Sequence, residues 1–262
     1  MQTANYFEFG VLTPIAAYLM SCAGAFLGLR SAARALAHQG KARLRWLVVT
    51  AVSIGTLGIW VMHFIAMLGF AMPGETIRYD VTLTILSMLI TVAVVLAGLL
   101  IAASGRQGPG RLTLAGIITG SGIAGMHYIG MAAMRMNADM TYDPRVFALS
   151  VVTAIIAATA ALWAALRLDR FWPAAAASLI VGVAVSGMHY IAMSAMRIMP
   201  SASNSSMAMG GATAFGFLLP LVIGITAMAF LLITVIGLSP TEREIREEAV
   251  MLARARASGL DI

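Results

Sequence analysis

Three of the four histidines in this 262-residue chain sit inside one repeated phrase. It reads Gly125-Met126-His127-Tyr128-Ile129-Gly130-Met131-Ala132-Ala133-Met134-Arg135 in one place. In another it reads Gly187-Met188-His189-Tyr190-Ile191-Ala192-Met193-Ser194-Ala195-Met196-Arg197, and a worn copy is Met62-His63-Phe64-Ile65-Ala66-Met67. The histidines are 64 and 62 residues apart. On a helix the fourth residue after a histidine lies about 40° from it and the seventh about 20° to the other side. His127, Met131 and Met134 then form one stripe, and His189, Met193 and Met196 a second. The first copy offers His63, Met67 and Phe70, one sulfur short. Met62, Met126 and Met188 point away, toward a neighbouring site or into packing, while Phe64, Tyr128 and Tyr190 occupy the opposite flank.

Imidazole together with thioether suits copper, above all Cu(I), because soft sulfur ligands select it. No carboxylate lies within the motif, which disfavours calcium, magnesium and a carboxylate-bridged di-iron centre. Zinc prefers cysteine, histidine or carboxylate to methionine. Methionine also fills irregular gaps in apolar cores, so a single one carries little weight. A histidine in an apolar helix carries more, because burying it in a membrane is costly. Three copies at matched positions argue for a shared site.

The elements that must position these residues are long and apolar. The chain is 60% hydrophobic and 11% charged, against about 25% charged in a soluble domain. The pattern predicts an all-α membrane protein of seven spans at about 11–30, 47–70, 81–103, 112–134, 146–166, 173–197 and 213–237. His63, His127 and His189 fall near the far ends of the second, fourth and sixth. The chain thus divides into three parallel two-helix repeats plus a seventh helix, a membrane domain at 1–238 and a helical cytoplasmic tail at 239–262. A pseudo-three-fold bundle of these repeats would bring the histidines to one axis.

Thirteen Lys and Arg fall in the stretches 30–45, 104–111, 167–172 and the tail, against Arg78, Arg135, Arg145 and Arg197 on the other side. The positive-inside rule then puts the N-terminus outside and the C-terminus in the cytoplasm, with the histidines in the outer half. Arg135 and Arg197 read as anchors at helix ends, and His38 as a solvated loop residue. Cys22, the lone cysteine, reads as a small core residue and excludes a disulfide within the chain. Small-residue rows at Gly24/Gly28, Gly116/Gly120 and Ser178/Gly182 suit close helix packing, within a protomer or in a homodimer. No basic patch interleaved with aromatics points to nucleic acid.

The repeated phrase resembles the MHYT family of bacterial integral membrane sensor domains over nearly the whole chain. The resemblance implies a multi-pass protein of the bacterial inner membrane that binds copper and senses oxygen, carbon monoxide or nitric oxide. It implies Met62-His63, Met126-His127 and Met188-His189 as ligand pairs, with Met67, Met131 and Met193 as the following sulfurs. Relatives of that kind often continue into cytoplasmic modules that make or degrade cyclic di-GMP. No such output or catalytic domain is visible here, so the tail reads either as a helix that meets a cytoplasmic signalling partner or as a stump from which an output domain was removed. Phe64 replaces the tyrosine of the first copy, and Ile129 and Ile191 stand where the family name has threonine. One copper ion is the simplest arrangement, and the surplus sulfurs offer ligands for a second. Two rival readings are a copper carrier or buffer, and a copper or haem oxidoreductase of the membrane.

Overall fold

A computed structural model describes residues 5–73, 76–105, 108–200, 210–232, 246 and 250–252. Six helices in it are long and apolar enough to cross a membrane: α1 (Leu12–Ala37), α2 (Gly40–Leu68), α3 (Val81–Ala103), α4 (Pro109–Ala132), α5 (Pro144–Arg167) and α6 (Phe171–Ser194). A further apolar helix, α7 (Leu219–Leu232), follows a π-helical turn at Ala214–Leu218. The expected seventh span therefore lies only partly within the described residues. Nearly all of the expected tail helix lies outside them.

Each helix packs on its neighbours in sequence, and α6 closes back on α1, so six helices make a ring. α7 sits outside it against α2 and α1. Large apolar side chains such as Leu19, Leu89, Ile156, Ile180 and Val183 face outward, as a lipid-facing surface requires. The small-residue rows are spent inside the chain. A methyl built on Gly24 would lie 2.2 Å from the Gly58 nitrogen, and one on Gly120 2.4 Å from Ile155 Cα. Gly182 gives way to Cys22, whose sulfur would stand 2.5 Å from such a methyl. The rows thus join α1 to α2, α4 to α5 and α6 to α1.

Two expectations need correction. The basic stretch 30–45 is almost wholly helical, because α1 runs on to Ala37 and α2 begins at Gly40. Its arginines stitch neighbouring ends together: Arg30 is buried over the Phe171 ring, Arg34 lies over Trp46, and Arg43 donates to the Ala103 carbonyl. His38 stands in the short turn between α1 and α2, part-exposed as expected, with its Nδ1 2.8 Å from the Arg34 carbonyl.

The second correction is at the other end of the bundle. α4 and α6 stop at Ala132 and Ser194, and the next residues enter strands. β1 (Arg78–Tyr79) pairs antiparallel with β2 (Met134–Arg135) and with β5 (Ala212–Thr213). β3 (Ala138–Tyr142) pairs antiparallel with β4 (Met196–Pro200). Met134 and Met196 therefore leave the helical stripes on which the sequence placed them. Arg135 and Arg197 sit on strands and not on helix ends.

These pairings tie each helix pair into a hairpin. Residue 71 after α2 bridges to Asn5 before α1, Arg135 after α4 pairs with Arg78 before α3, and Arg197 after α6 pairs with Thr141 before α5. Asp80 caps α3 through the Leu83 N–H and receives Arg135 at 2.7 Å. Asp143 caps α5 and receives Arg197 at 2.5 Å. Hydrogen bonding from Arg135, helped by the Leu83 N–H, holds the Asp80 carboxyl below the usual range. The Arg145 and Val146 N–H groups, and then Arg197, do the same for Asp143.

Candidate metal centre

Each repeat histidine stands five residues before the end of its helix, at 63 in a helix ending at 68, 127 in one ending at 132, and 189 in one ending at 194. Because α2, α4 and α6 run the same way, the three imidazoles share one level. All three are buried, each 1% exposed, and their ligand atoms lie within 4.8 Å of one another. His63 Nδ1 is 3.1 Å from His189 Nδ1 and 3.1 Å from His127 Nδ1. The ring centroids are 4.8, 5.0 and 5.1 Å apart, each pair nearly edge to face.

Three nitrogens that converge so closely need a proton or a cation between them. A neutral imidazole carries a proton on only one nitrogen, so inward-facing Nδ1 atoms present lone pairs that repel unless a proton or a cation is shared. Three nitrogens bound to one ion at about 2.0–2.1 Å would stand about 3.3–3.5 Å apart, within a few tenths of the two separations of 3.1 Å to His63 Nδ1. The donor set therefore fits a metal ion with little movement. A haem does not fit between these rings, because axial imidazoles must stand on opposite faces of a macrocycle.

Room for the rings comes from local sequence. Gly130 is one turn from His127, and a methyl there would meet His63 Nε2 at 2.6 Å. The matching positions in the other copies are Ala66 and Ala192, so glycine appears where a neighbouring imidazole needs the space. His63 Nε2 and His127 Nε2 are buried without a hydrogen-bond partner among the described residues.

The methionines of the phrase are all in the core. Met67, Met131 and Met193 are 1%, 0% and 3% exposed and lie one turn beyond the histidines. Helical side chains lean toward the N-terminus, which inclines these three back over the imidazole layer. Met62, Met126 and Met188 are equally buried, and Met188 lines an apolar cavity on the other side of that layer.

The aromatic after each histidine has a structural role that sequence reasoning left undefined. Tyr128 packs against Tyr142 and Phe147 at the entry to the next hairpin, with its hydroxyl 2.8 Å from Ser150 Oγ. Phe64 packs against Tyr79, also at the entry to the next hairpin, and Tyr190 against Phe7 ahead of α1. Each copy thereby clamps its hairpin to the following one, and the third clamps back on the first.

Comparison with known proteins follows the same pattern. Residues 57–115 and 120–178 each match the MHYT repeat, described as a bacterial signalling protein N-terminal repeat. The chain belongs to the MHYT family. It is a multi-pass protein of the bacterial inner membrane. The matched segments begin within α2 and α4, so the family's unit runs from one histidine helix into the next hairpin, half a unit out of phase with the strand-paired hairpins.

The chain is 35% identical over 92% of its length to the bifunctional diguanylate cyclase/cyclic di-GMP phosphodiesterase MucR of Pseudomonas aeruginosa, of which it spans 35%. It is 39% identical over 69% of its length to the cyclic di-GMP phosphodiesterase NbdA of the same organism, of which it spans 23%. An uncharacterized signaling protein of Caulobacter vibrioides is 32% identical over 91% of this chain, which spans 29% of it. No solved structure matches the chain.

Proposed function

We propose that this MHYT domain is a membrane sensor that holds copper at His63, His127 and His189, completed by sulfur from among Met67, Met131 and Met193. The observation that carries the reading is the convergence of three buried Nδ1 atoms, two of the pairs at 3.1 Å. Bound there, copper would supply an open or weakly held position for dioxygen, nitric oxide or carbon monoxide, or a change of redox state. The chain's own part is to desolvate the site, hold three neutral imidazoles at one level and surround them with methionine. Met62, Met126 and Met188 are the ligands available to a second ion.

The seven-span topology, with the N-terminus outside and the C-terminus in the cytoplasm, belongs to this reading. So does the division into a membrane domain at 1–238 and a tail at 239–262. Ligation would shift the packing of α2, α4 and α6 and pass through α7 to a cytoplasmic signalling partner. The relatives' names favour cyclic di-GMP turnover as that output. A transport role finds less support. Between the histidines and the basic end lies a cavity whose only sulfur is that of Met188, beside the triad, while Met228 faces outward at 59% exposure.

Infrared spectroscopy of Cu(I)-loaded protein under carbon monoxide tests the reading. A carbonyl band that is absent from a His63→Ala/His127→Ala/His189→Ala variant is expected. Copper-loaded protein with no such band would refute the diatomic part.

A further inference from the structure

Directly behind the imidazole layer the bundle leaves a cavity of about 30 Å³. Its position is set by the repeat. Ile59, Ile123 and Val185 each stand four residues before a triad histidine, and all three line it. The cavity therefore begins about one helical turn, roughly 6 Å, behind the histidine level, extends to Ile54, Thr119 and Val181 further back, and is bordered by all three histidine helices. Met188, next to His189, lines it too. α5 supplies a wall that includes Ala154, Ala158 and Ala161, whose short side chains leave the space unfilled.

The lining decides the occupant. Its one hydroxyl, Thr119 Oγ1, is already given to the Val94 carbonyl at 3.3 Å, and every other lining side chain is apolar. A buried water needs two to four polar partners, so water gains nothing here and the space stays dry. By volume it exceeds the roughly 10–15 Å³ that one water requires, about two- to three-fold.

We propose that this cavity is a binding site for a small uncharged apolar molecule of two or three atoms, of the diatomic-gas class, held about one helical turn inward of the histidine layer and next to Met188. The binding follows from the cavity alone. Its use as the antechamber from which such a molecule reaches the triad rests on the sensory reading above.

The test uses metal-free protein in nanodiscs, methyl-labelled at Ile, Leu and Val, with dioxygen under pressure as a paramagnetic probe and nitrogen as the control. The Ile59 and Ile123 methyls, 2% and 6% exposed, should relax several-fold faster with dioxygen than Leu27 or Leu29, buried at 0% and 1% and away from the cavity. The excess should disappear in Ala158→Val and fall in Val181→Ile, two substitutions that fill the space from different helices. It should persist in the triple histidine variant, which separates this site from the metal reading. Enhancement at Ile59 and Ile123 no greater than at Leu29, or undiminished in folded filling variants, would overturn the proposal. Enhancement lost with the histidines would assign dioxygen to the triad and overturn it equally.

Discussion

Gly130→Ala perturbs the site without removing a ligand. The added methyl would lie 2.6 Å from His63 Nε2 and 3.2 Å from its Cδ2. Ordinary contact begins near 3.4 Å, so the ring must retreat by about 0.8 Å. It has little freedom to do so, because His63 is edge-on to Phe64, His127 and His189 at once. Overpacking of this kind costs about 1–3 kcal/mol. The helix itself regains about 1 kcal/mol when glycine becomes alanine. The net loss of stability is then about 0–2 kcal/mol, so the protein should still fold while the Nδ1 convergence is lost. Perturbing the surroundings of a metal ligand commonly costs about 10–100-fold in affinity, and a loss in that range is expected in a chelator-competition titration. The imidazole nitrogen resonances of His63 should shift in metal-free protein. Ala66→Gly and Ala192→Gly are the controls: each loosens a helix by about 1 kcal/mol and should leave metal affinity unchanged. Gly130→Ala with wild-type affinity and unshifted His63 resonances would refute the packing argument.

Other consequences are equally specific. Gly120→Ala drives a methyl onto the Ile155 backbone and should lower the melting temperature in detergent, whereas Gly125→Ala, with nothing within 4 Å of the new methyl, should not. The Asp80 and Asp143 carboxyls titrate below their unfolded value, so their stabilisation is present above about pH 3.9 and fades as pH falls through the lower folded values. Thermal melts of Asp80→Asn, which keeps a helix cap but loses the charge on Arg135, should show a weaker acid dependence than wild type; an identical profile would remove the ion pair from the account. Tyr128→Ala empties the clamp between α4 and the next hairpin and should destabilise the fold more than Tyr128→Phe, which loses only the hydroxyl contact to Ser150.

The site was legible because it is written three times. Identical spacing from histidine to helix end converts a repeated word into a shared level, and apolar length fixed α3 at the residues expected, 81–103. The strands were harder to see. They are short, and Met134-Arg135-Met136 continues a methionine-rich helical stripe. Its buried–exposed–buried alternation is a period of two, the signal that marks an extended segment. The carboxylate partners of Arg135 and Arg197 lie 55 and 54 residues away, beyond the reach of local pattern. The arginines of 30–45 looked like a loop because charge was equated with solvent, yet Arg30 is buried about two turns inside α1, over an aromatic ring. The cavity was invisible for a different reason. It is what side chains on five helices fail to fill, and no stretch of sequence encodes an absence.

Metal content by mass spectrometry, on protein purified in detergent and loaded with copper, tests the central claim most directly. The triple variant His63→Ala/His127→Ala/His189→Ala is the comparison. The account predicts at least one tightly held copper per wild-type chain and its loss in the folded variant. Wild-type protein that stays free of copper after loading, or a variant that retains it, would contradict the account.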